Sequence, residues 1–435
     1  MDYSPIKQAL INVPENAQES TVCSIFISEL LKTLGFDVME TVWQFNTGNG
    51  GNTVDYAVRK NSDGDSFIIT QSNPYLLLEA KGRNINLSSN SAHYKSAVFQ
   101  IKRYLLAPNC KSAQWGIITN ANHIQLFRKH GKVVHPALPC LEVTPDNLDK
   151  VVSTIKHKID CPQKALTVAI YNNKGGVGKT ITTVNLAAIL AMLGKRSLIV
   201  DFDPNQQDLT NSLGLKSKED SLFAWLINKS SPAPDGLVNP CKVSPKTGTV
   251  WQFDIIASDE KLQNLPEDKL LQHINHGRLR QALEPFKFEY DYILIDSPPN
   301  WRFFSKSAVY AADVVLIPTK HNNIFSLENA ATAIRRFVPQ IQNERKDGGP
   351  IALPIFYNGK SITEAARLNA EQAIDKIIGT AKKDKVHPFD LTPYFYPRST
   401  PANIDRHIFS IPSYAHIAGA AFDRIPAAYK KKGVA

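Results

Sequence analysis

The sequence has few cysteines and no long apolar run, and both absences limit what the protein can be. Its five cysteines are scattered, and none forms a Cys-x-x-Cys pair, so neither a zinc site nor a disulfide framework is indicated. No apolar run approaches the roughly 20 residues that a helix needs to span a bilayer. The amino terminus contains acids and a proline but lacks the apolar segment of a signal peptide. These absences predict a reduced, cytoplasmic location.

Acidic residues are too few to balance the basic ones. The 435 residues include 50 lysines and arginines against 40 aspartates and glutamates, which gives a formal charge of +10. An excess of this sign favours a polyanionic partner, with nucleic acid as the first candidate. The length suggests two or three domains.

The pattern of apolar residues changes near residue 162. Before that point it predicts an early helix, several short strands with a second helix between them, and a linking helix that Cys161-Pro162 ends. These segments are Ser20–Phe36, the strands Val54–Val58, Ser66–Thr70, Tyr75–Ala80 and Trp115–Thr119, the helix Ser96–Leu106, and the linker Pro145–Ile159.

After that point, short apolar runs alternate with helical stretches. Continuous apolar strands of this kind indicate an α/β fold with a doubly wound, mostly parallel sheet, in which ligands sit at the carboxyl ends of the strands. We therefore expect a smaller α/β domain over residues 1–145, a linking helix over 146–164 and a larger, doubly wound α/β domain over 165–435. The predicted strands are Leu166–Tyr171, Ser197–Val200, Tyr292–Ile295, Val314–Ile317 and Pro354–Tyr357.

A glycine-rich loop, Lys174–Thr180, follows the first of these strands and precedes a helix. Glycines let main-chain N–H groups converge on phosphate oxygens, and the helix amino terminus adds positive potential. Lys179 would reach the β- and γ-phosphates of ATP, and the Thr180 hydroxyl would bind Mg²⁺. The strict P-loop pattern has glycine where Asn173 stands, so this loop is a variant. The predicted nucleotide-binding residues are Gly175, Gly176, Val177, Gly178, Lys179, Thr180 and Ile181.

Carboxylates follow two further predicted strands. Asp201 and Asp203 come directly after Ser197–Val200, and Asp296 comes directly after Tyr292–Ile295. Acids at neighbouring strand ends can hold Mg²⁺ and orient an attacking water. Each alone could equally be a helix N-cap or a solvated turn, but the three motifs together favour an ATP hydrolase.

These motifs resemble those of the ParA/MinD family of ATPases. Lys174–Thr180 is similar to the family's deviant Walker A motif, KGGxGK[ST], and the resemblance extends from Leu166 to the carboxyl terminus. The family's Gln-Gly after Asp-Pro is replaced by Asn205-Gln206. Further matching segments are Val200–Gln206, Ile295–Pro299 and Ala311–Pro318.

The resemblance implies a role for each matching residue. Lys174 reaches across a dimer interface to the partner's ATP, and Asp203 positions the hydrolytic water. Asp201 and Asp296 support the metal, and Asn358 contacts adenine.

The resemblance also implies partners. It implies an ATP-dependent homodimer that binds DNA without sequence preference, and a ParB-like protein that stimulates hydrolysis. The dimer would then be associated with the nucleoid. A MinD-like membrane switch fits poorly, because the tail Phe422–Ala435 lacks a strong amphipathic face, so no stable membrane association is expected.

The amino-terminal region carries a second acidic motif. Asp55 lies in a strand-like run, and Glu79 and Lys81 end another on the same face. A nuclease needs two carboxylates to hold a divalent metal and a lysine to orient or activate water. The alternative for this spacing is a charged strand end.

The same region resembles the PD-(D/E)xK nuclease domain of type I restriction enzyme R subunits over about residues 15–135. No second P-loop or helicase motif set accompanies it. Two functions stay open: a partition or positioning ATPase in which this module is an adaptor or DNA contact, and a nucleotide-switched DNA endonuclease in defence against foreign DNA. The matching residues are Glu19, Asp55, Glu79, Lys81, Gln100 and Tyr104.

Overall fold

A computed structural model describes residues 2–89, 91–216, 221–228, 233–243, 250–359, 362–400 and 402–430. The chain divides into two compact units. The amino-terminal unit contains Met1–Pro162 and Lys346–Gly349, and the carboxyl-terminal unit contains Gln163–Arg345 and Pro350–Ala435.

The amino-terminal unit is built on one mixed sheet with strand order β1-β2-β3-β4-β5-β6, and β7 pairs with β5. The β3–β4 pair is parallel, and every other neighbouring pair is antiparallel. The strands are β1 (Thr41–Asn46), β2 (Thr53–Val58), β3 (Leu76–Ala80), β4 (Trp115–Thr119), β5 (His123–His130), β6 (Val133–Pro136) and β7 (Leu141–Glu142). The helices are α1 (Ser4–Asn12), α2 (Glu19–Val22), α3 (Ser28–Thr33), α4 (Phe67–Thr70), α5 (Ala92–Leu105) and α6 (Leu148–Asp160), and a π-helical segment, Cys23–Ile27, joins α2 to α3.

Strand β3 is buried on both faces and separates two apolar clusters. Leu76 and Leu78 pack with α1, α3 and α6 on one face, whereas Leu77 packs with α5 on the other. This alternation is the two-residue period of a strand. The helix predicted as a linker, α6, contributes Val152 and Ile155 to the first cluster.

The strand predicted over Ser66–Thr70 is wrong, because this segment forms the helical turn α4. Only Phe67 of its apolar residues is buried, whereas Ile69 is exposed. The Phe67 N–H donates to the Asn61 side chain at 2.7 Å, and the Phe67 ring stacks on Phe45. A local side-chain acceptor therefore replaces a strand partner.

The carboxyl-terminal unit contains a seven-stranded sheet with order β10-β11-β9-β12-β8-β13-β15, in which only the β10–β11 pair is antiparallel. This arrangement confirms the predicted α/β fold with a parallel sheet. A second, three-stranded parallel sheet has the order β14-β16-β17. The strands are β8 (Leu166–Ile170), β9 (Ser197–Asp201), β10 (Val238–Val243), β11 (Trp251–Ile256), β12 (Tyr292–Asp296), β13 (Val314–Leu316), β14 (Pro318–Thr319), β15 (Ile351–Ala352), β16 (Phe356–Gly359) and β17 (Ser410–Pro412).

The helices of this unit vary widely in length. The longest, α17, has 19 residues, and α7 follows the glycine-rich loop. In chain order they are α7 (Lys179–Met192), α8 (Asp208–Ser212), α9 (Leu222–Ile227), α10 (Glu260–Asn264), α11 (Glu267–His273), α12 (Arg278–Leu283), α13 (Phe286–Glu289), α14 (Phe303–Ala311), α15 (Ile324–Thr332), α16 (Val338–Arg345), α17 (Glu364–Lys382), α18 (Thr392–Phe395) and α19 (Ala415–Phe422), with a π-helical segment, Ala333–Phe337, between α15 and α16.

The sequence pattern predicts a strand of the main sheet over Pro354–Tyr357, and this placement is wrong. Strand β15 forms one edge of the main sheet, and the Leu353 N–H donates to the Val315 carbonyl oxygen of β13 at 2.9 Å. Pro354 has no N–H to continue that ladder. The chain then enters the small sheet as β16.

Within the described ranges, no helix is long and apolar enough to cross a bilayer. All five cysteines are free thiols.

Candidate functional site

The strand register of the carboxyl-terminal unit places two acids side by side. Strand β12 lies between β9 and β8, and Asp296 is level with Asp201 on one side and Ile170 on the other. Because these three strands are parallel, their carboxyl ends meet at one edge of the sheet. The glycine-rich loop leaves β8 at the same edge.

The loop has the backbone that its glycines predict. Gly176 and Gly178 have φ values of +72° and +88°, in the left-handed region. A Cβ atom on Gly178 would also collide with the Asn358 amide. Helix α7 begins at Lys179, so its free N–H groups face the loop and favour an anion there.

Asp296 and Thr180 form the centre of the site. The Thr180 hydroxyl donates to Asp296 Oδ2 at 2.6 Å, while the buried Oδ1 has no hydrogen-bond partner. Burial raises the pKa of Asp296, and the nearby Asp201 carboxylate raises it further, although the Thr180 hydrogen bond opposes this. A buried carboxylate oxygen that lacks a partner beside a hydroxyl is a suitable binding point for a hydrated Mg²⁺.

These residues fit a magnesium ion whose coordination shell is completed by phosphate and water. Among the described residues, no three His, Cys, Asp or Glu side chains lie close enough to hold a metal by themselves. A P-loop site does not need such a group, since Mg²⁺ is bound there by one hydroxyl, a carboxylate and nucleotide oxygens. Thr180 and Asp296 have the hydroxyl and the carboxylate that such a set requires.

The two loop lysines differ in environment. Lys179 is buried, and this burial lowers its pKa, while the carboxylates of Asp296 and Asp203 offset part of the effect. Lys174 is half-buried and makes no ion pair in the described part of the chain. A polyphosphate in the loop would give both ammonium groups a counter-charge.

The Asp201 carboxylate accepts hydrogen bonds from main-chain and hydroxyl donors. Its Oδ2 accepts from the Thr210 N–H at 2.8 Å and from the Thr210 hydroxyl at 2.6 Å, and its Oδ1 accepts from the Asp203 N–H at 3.3 Å. Burial raises the pKa of Asp201 to about 6. The side chain therefore fixes the segment from Asp203 to Thr210. The Asp203 carboxylate accepts a long bond from the Gln206 N–H, at 3.4 Å.

Asn358 contacts the glycine-rich loop. Its Nδ2 lies 3.2 Å from the Val177 carbonyl oxygen, 3.3 Å from that of Gly178 and 3.1 Å from the Thr182 hydroxyl. An apolar cavity of about 580 Å³ adjoins this contact. Ile181, Asn185, Phe356, Pro397 and Tyr414 are among the residues that line it.

Sequence reasoning missed Asn172, which anchors the start of the loop. Its side chain is fully buried, and Nδ2 donates to the carbonyl oxygens of Pro318 at 2.8 Å and Ser326 at 3.1 Å. A polar residue directly after a continuous apolar strand is the signal that could have identified it.

The amino-terminal unit brings Asp55, Glu79 and Lys81 together. Strands β2 and β3 are neighbours, and the Ala80 N–H donates to Asp55 Oδ2 at 2.8 Å. Lys81 Nζ lies 2.6 Å from Glu79 Oε1 and 3.7 Å from Glu19 Oε2. Gln44, which the sequence analysis missed, donates to Asp55 Oδ1 at 3.1 Å.

Burial and mutual repulsion shift the pKa values of this acidic cluster. Burial, reinforced by the Asp55 charge, raises the pKa of Glu79 to about 7, and burial also raises the pKa of Asp55. Burial alone would lower the pKa of Lys81, but the charges of Glu79 and Glu19 raise it overall. Glu79 Oε2 is buried without a partner, so the cluster offers one open oxygen to a divalent metal.

Gln100 and Tyr104 bond to each other, with Gln100 Nε2 at 2.8 Å from the Tyr104 hydroxyl. No described hydrogen bond links this pair to the acidic cluster. A cleft of about 350 Å³ opens beside Asp55. Its lining includes Glu19, Cys23, Trp43 and Gln44.

Comparison with known proteins concerns the carboxyl-terminal unit. Residues 165–348 match a family model described as an AAA domain. The sporulation initiation inhibitor protein Soj of Bacillus subtilis is 38% identical over 155 residues, which are 35% of this chain and 57% of that protein. The match to the chromosome partitioning protein ParA of Myxococcus xanthus covers 50% of that protein, so this chain spans between half and three-fifths of these two relatives.

A longer match is found with a second partitioning protein. The chromosome partitioning protein ParA of Caulobacter vibrioides is 32% identical over 204 residues, which are 45% of this chain and 72% of that protein. Among solved structures, a Cyanothece McdA variant in complex with ATP has a TM-score of 0.46 at 21% identity, covering 62% of this chain and 94% of McdA. On the extent of the Caulobacter match, this chain belongs to the ParA family of P-loop ATPases.

Proposed function

We propose that this protein binds ATP with Mg²⁺ in the carboxyl-terminal unit, dimerises in that state and hydrolyses the ATP. The observation that carries the proposal is the contact between the Thr180 hydroxyl and Asp296, whose second carboxylate oxygen is buried and lacks a partner. That contact lies at the amino terminus of α7, where main-chain N–H groups favour phosphate.

Each residue of the nucleotide site has a separate role. The amides of residues 175–181 and the Lys179 ammonium hold the β- and γ-phosphates, and Lys174 neutralises charge on the γ-phosphate across the dimer. Bound Mg²⁺ supplies positive charge to the transferring phosphoryl group. Asp203 orients the attacking water, and Asp201 keeps the Asp203 segment in place. The apolar cavity beside Asn358 accommodates adenine.

Calorimetry and light scattering on the full chain test this proposal. We expect Mg-ATP to bind, and we expect the molecular mass in solution to double with ATP but not with ADP. The reason is that the γ-phosphate of the ATP in one protomer attracts Lys174 of the other protomer. The variant Lys174→Ala should still bind ATP yet stay monomeric. A monomer at saturating Mg-ATP in the wild-type protein would contradict the dimer, and absence of any ATP binding would contradict the whole assignment.

The ATP-bound dimer is proposed to hold DNA without sequence preference and to act in partition or positioning of DNA or of a DNA-linked cargo. Two observations support this: the net charge of +10, and the curated relatives named as chromosome partitioning proteins. A ParB-like protein would stimulate hydrolysis, and the dimer would be cytoplasmic and associated with the nucleoid, without stable membrane association. Lysines 430–432 are candidate contacts to DNA phosphates, and residues 431 and 432 lie outside the described residues.

Fluorescence anisotropy with a labelled duplex tests DNA binding. Affinity with ATP should exceed affinity with ADP and should fall steeply with salt, since each phosphate contact releases a counterion. Duplexes of unrelated sequence should bind equally. A single preferred sequence would contradict the non-specific mode.

A second function is favoured by the acidic cluster of the amino-terminal unit. We propose that Asp55 and Glu79 hold a divalent metal and that Lys81 orients the attacking water in a PD-(D/E)xK-like module spanning about residues 1–145, with Gln100 in a supporting role. The open oxygen of Glu79 supports this assignment. Lys81 opposes it in part, because its ion pair with Glu79 must open before a metal can use both oxygens. The alternative is that the module only contacts DNA or serves as an adaptor.

Plasmid nicking by the full chain, with Mg²⁺ or Mn²⁺ and with or without ATP, separates these options. Metal-dependent nicking that Glu79→Gln abolishes would support an endonuclease, which could act in defence against foreign DNA. Glu40→Gln is the matched control, because Glu40 is also buried and paired with a lysine but lies outside the cluster. Nicking that persists at the full rate in Glu79→Gln would contradict the assignment of this cluster as a nuclease site.

A further inference from the structure

Asn173 stands where the strict P-loop pattern has glycine, and its side chain is held at both ends. Its Oδ1 accepts a hydrogen bond from the Tyr171 hydroxyl at 3.1 Å, and its Nδ2 donates to Asn329 Oδ1 at 3.2 Å. The most flexible residue type is therefore replaced by one with two fixed neighbours. Lys174 follows directly in the chain.

Both neighbours of Asn173 are themselves held in place. Tyr171 is fully buried, and its hydroxyl also lies 3.4 Å from the Asn300 carbonyl oxygen, in the loop after Asp296. Asn329 lies on α15 and donates its own amide to the Phe325 carbonyl oxygen at 2.8 Å. The start of the glycine-rich loop is thus tied to a helix and to the loop that follows β12.

An aromatic stack joins the same two elements. The rings of Trp301 and Phe337 are parallel to within 7° at a centroid distance of 4.3 Å, and the Tyr171 ring lies 5.5 Å from Trp301. Phe337 is in the π-helical segment Ala333–Phe337 that continues α15. Helix α15 and its extension therefore contact Asn173 at one point and Trp301 at another.

We propose that Tyr171, Asn173 and Asn329 form a clamp that positions Lys174. The clamp fixes the main chain one residue before the lysine, so that the ammonium group is directed toward a bound polyphosphate. These three are positioning residues, since they act through the main chain next to Lys174. The inference rests on the proposed ATP-dependent function, and it assigns to Asn173 the role of holding Lys174 in place.

The clamp should affect turnover more than nucleotide binding. The amides of the loop and Lys179 remain when the clamp is lost, so the affinity for Mg-ATP should stay within about twofold of the wild-type value. Such a change in binding free energy is well below the contribution of one hydrogen bond. The hydrolysis rate and the ATP-dependent dimer depend on Lys174, and loss of one net hydrogen bond that orients it should lower kcat about 5-fold.

Paired substitutions at Asn329 test the clamp in the full-length protein. Asn329→Leu removes the acceptor for the Asn173 amide, and we expect kcat to fall about 5-fold with little change in Kd, in line with one lost hydrogen bond. Asn329→Asp retains that acceptor oxygen but loses the amide bond to the Phe325 carbonyl oxygen, so it should recover only part of the rate. Tyr171→Phe, which removes only the hydroxyl, should also lower kcat. Glu328→Gln, one residue earlier on the exposed side of α15, is the matched control.

The outcomes separate the clamp from the proposed function. If the wild-type protein neither binds nor hydrolyses ATP, the proposed function is wrong and the clamp falls with it. If the wild-type protein is active and Asn329→Leu keeps the full rate, the clamp alone is wrong. Melting temperatures, compared across the variants, verify that the fold is intact.

Discussion

Glu79 in the amino-terminal unit and Asp296 in the carboxyl-terminal unit are both buried carboxylates with one oxygen that lacks a hydrogen-bond partner. Each lies near a lysine that is mostly shielded from water. The lysines are used differently. Lys81 forms a direct 2.6 Å pair with Glu79, whereas the Thr180 hydroxyl occupies the bonded oxygen of Asp296 and leaves the Lys179 charge without such a pair in the described structure.

This difference determines which ligand each site can accept. In the carboxyl-terminal unit the unneutralised lysine and the α7 amide groups favour a polyanion, and the open carboxylate oxygen favours a cation beside it. In the amino-terminal unit the lysine already compensates the acid, so an incoming metal must compete with an ammonium group. We therefore expect strong binding of Mg-ATP and weaker binding of a metal alone at Glu79.

The largest effect should follow from Lys179→Ala. A charge-assisted hydrogen bond contributes about 1.5–3 kcal/mol, so its loss should weaken Mg-ATP binding about 10- to 100-fold. Calorimetry on the full chain gives this number. Lys81→Ala is the counterpart in the other unit and should leave ATP affinity unchanged. Equal loss of affinity in both variants would contradict the separation of the two sites.

The two acids at the sheet edge should differ in what they control. Asp296→Asn removes the charge beside Thr180, and loss of this electrostatic support should lower kcat about 100-fold. Asp201→Ala leaves the N–H groups of Asp203 and Thr210 without acceptors, which should cost about 2 kcal/mol of stability. Denaturant titration and steady-state hydrolysis measure the two quantities. A stable Asp201→Ala protein with the metal dependence lost would instead make Asp201 a metal ligand.

Sequence alone predicted the parts of both sites that depend on strand ends. A parallel sheet brings the residues after β8, β9 and β12 to one edge, so Thr180, Asp201 and Asp296 could be grouped from spacing and pattern. It could not predict how each carboxylate is used, because that depends on donors distant in sequence, such as Thr210 for Asp201. For the same reason Gln44 and Asn329 escaped prediction. The apolar run that begins at Pro354 was assigned to the wrong sheet, because an apolar run does not reveal which sheet it joins.

The pH dependence of stability should differ in sign between two buried glutamates of the amino-terminal unit. Burial raises the pKa of Glu79 from 4.5 to about 7. The folded state therefore binds this proton more tightly, and the stability that Glu79 contributes is lost as the pH rises from 4.5 toward 7. Glu40 behaves oppositely: burial alone would raise its pKa, but hydrogen bonds from Lys60, Asn61 and Asp37 lower it overall.

Melting temperatures in the presence of a chelator measure this contrast. Relative to the wild-type protein, Glu79→Gln should become more stable as the pH increases through that range. Glu40→Gln should become less stable as the pH rises from below the lowered pKa of Glu40, since the charged form is the one that its donors stabilise. Parallel pH curves for both variants would contradict the raised pKa of Glu79.

The smallest expected effect concerns Asn358, for which two roles predict different results. If its amide supports the loop through the carbonyl groups of Val177 and Gly178, Asn358→Ala should weaken the binding of ATP and of GTP by the same factor. This factor should be about 5-fold, for the loss of one net hydrogen bond. If it reads the adenine base, the preference for ATP over GTP should decrease while binding of inorganic triphosphate stays constant. The 3.2 Å and 3.3 Å contacts to the loop favour the first result. Because the amide donor group of Asn358 faces loop oxygens, we expect base recognition to depend on the apolar cavity beside Ile181 and Pro397.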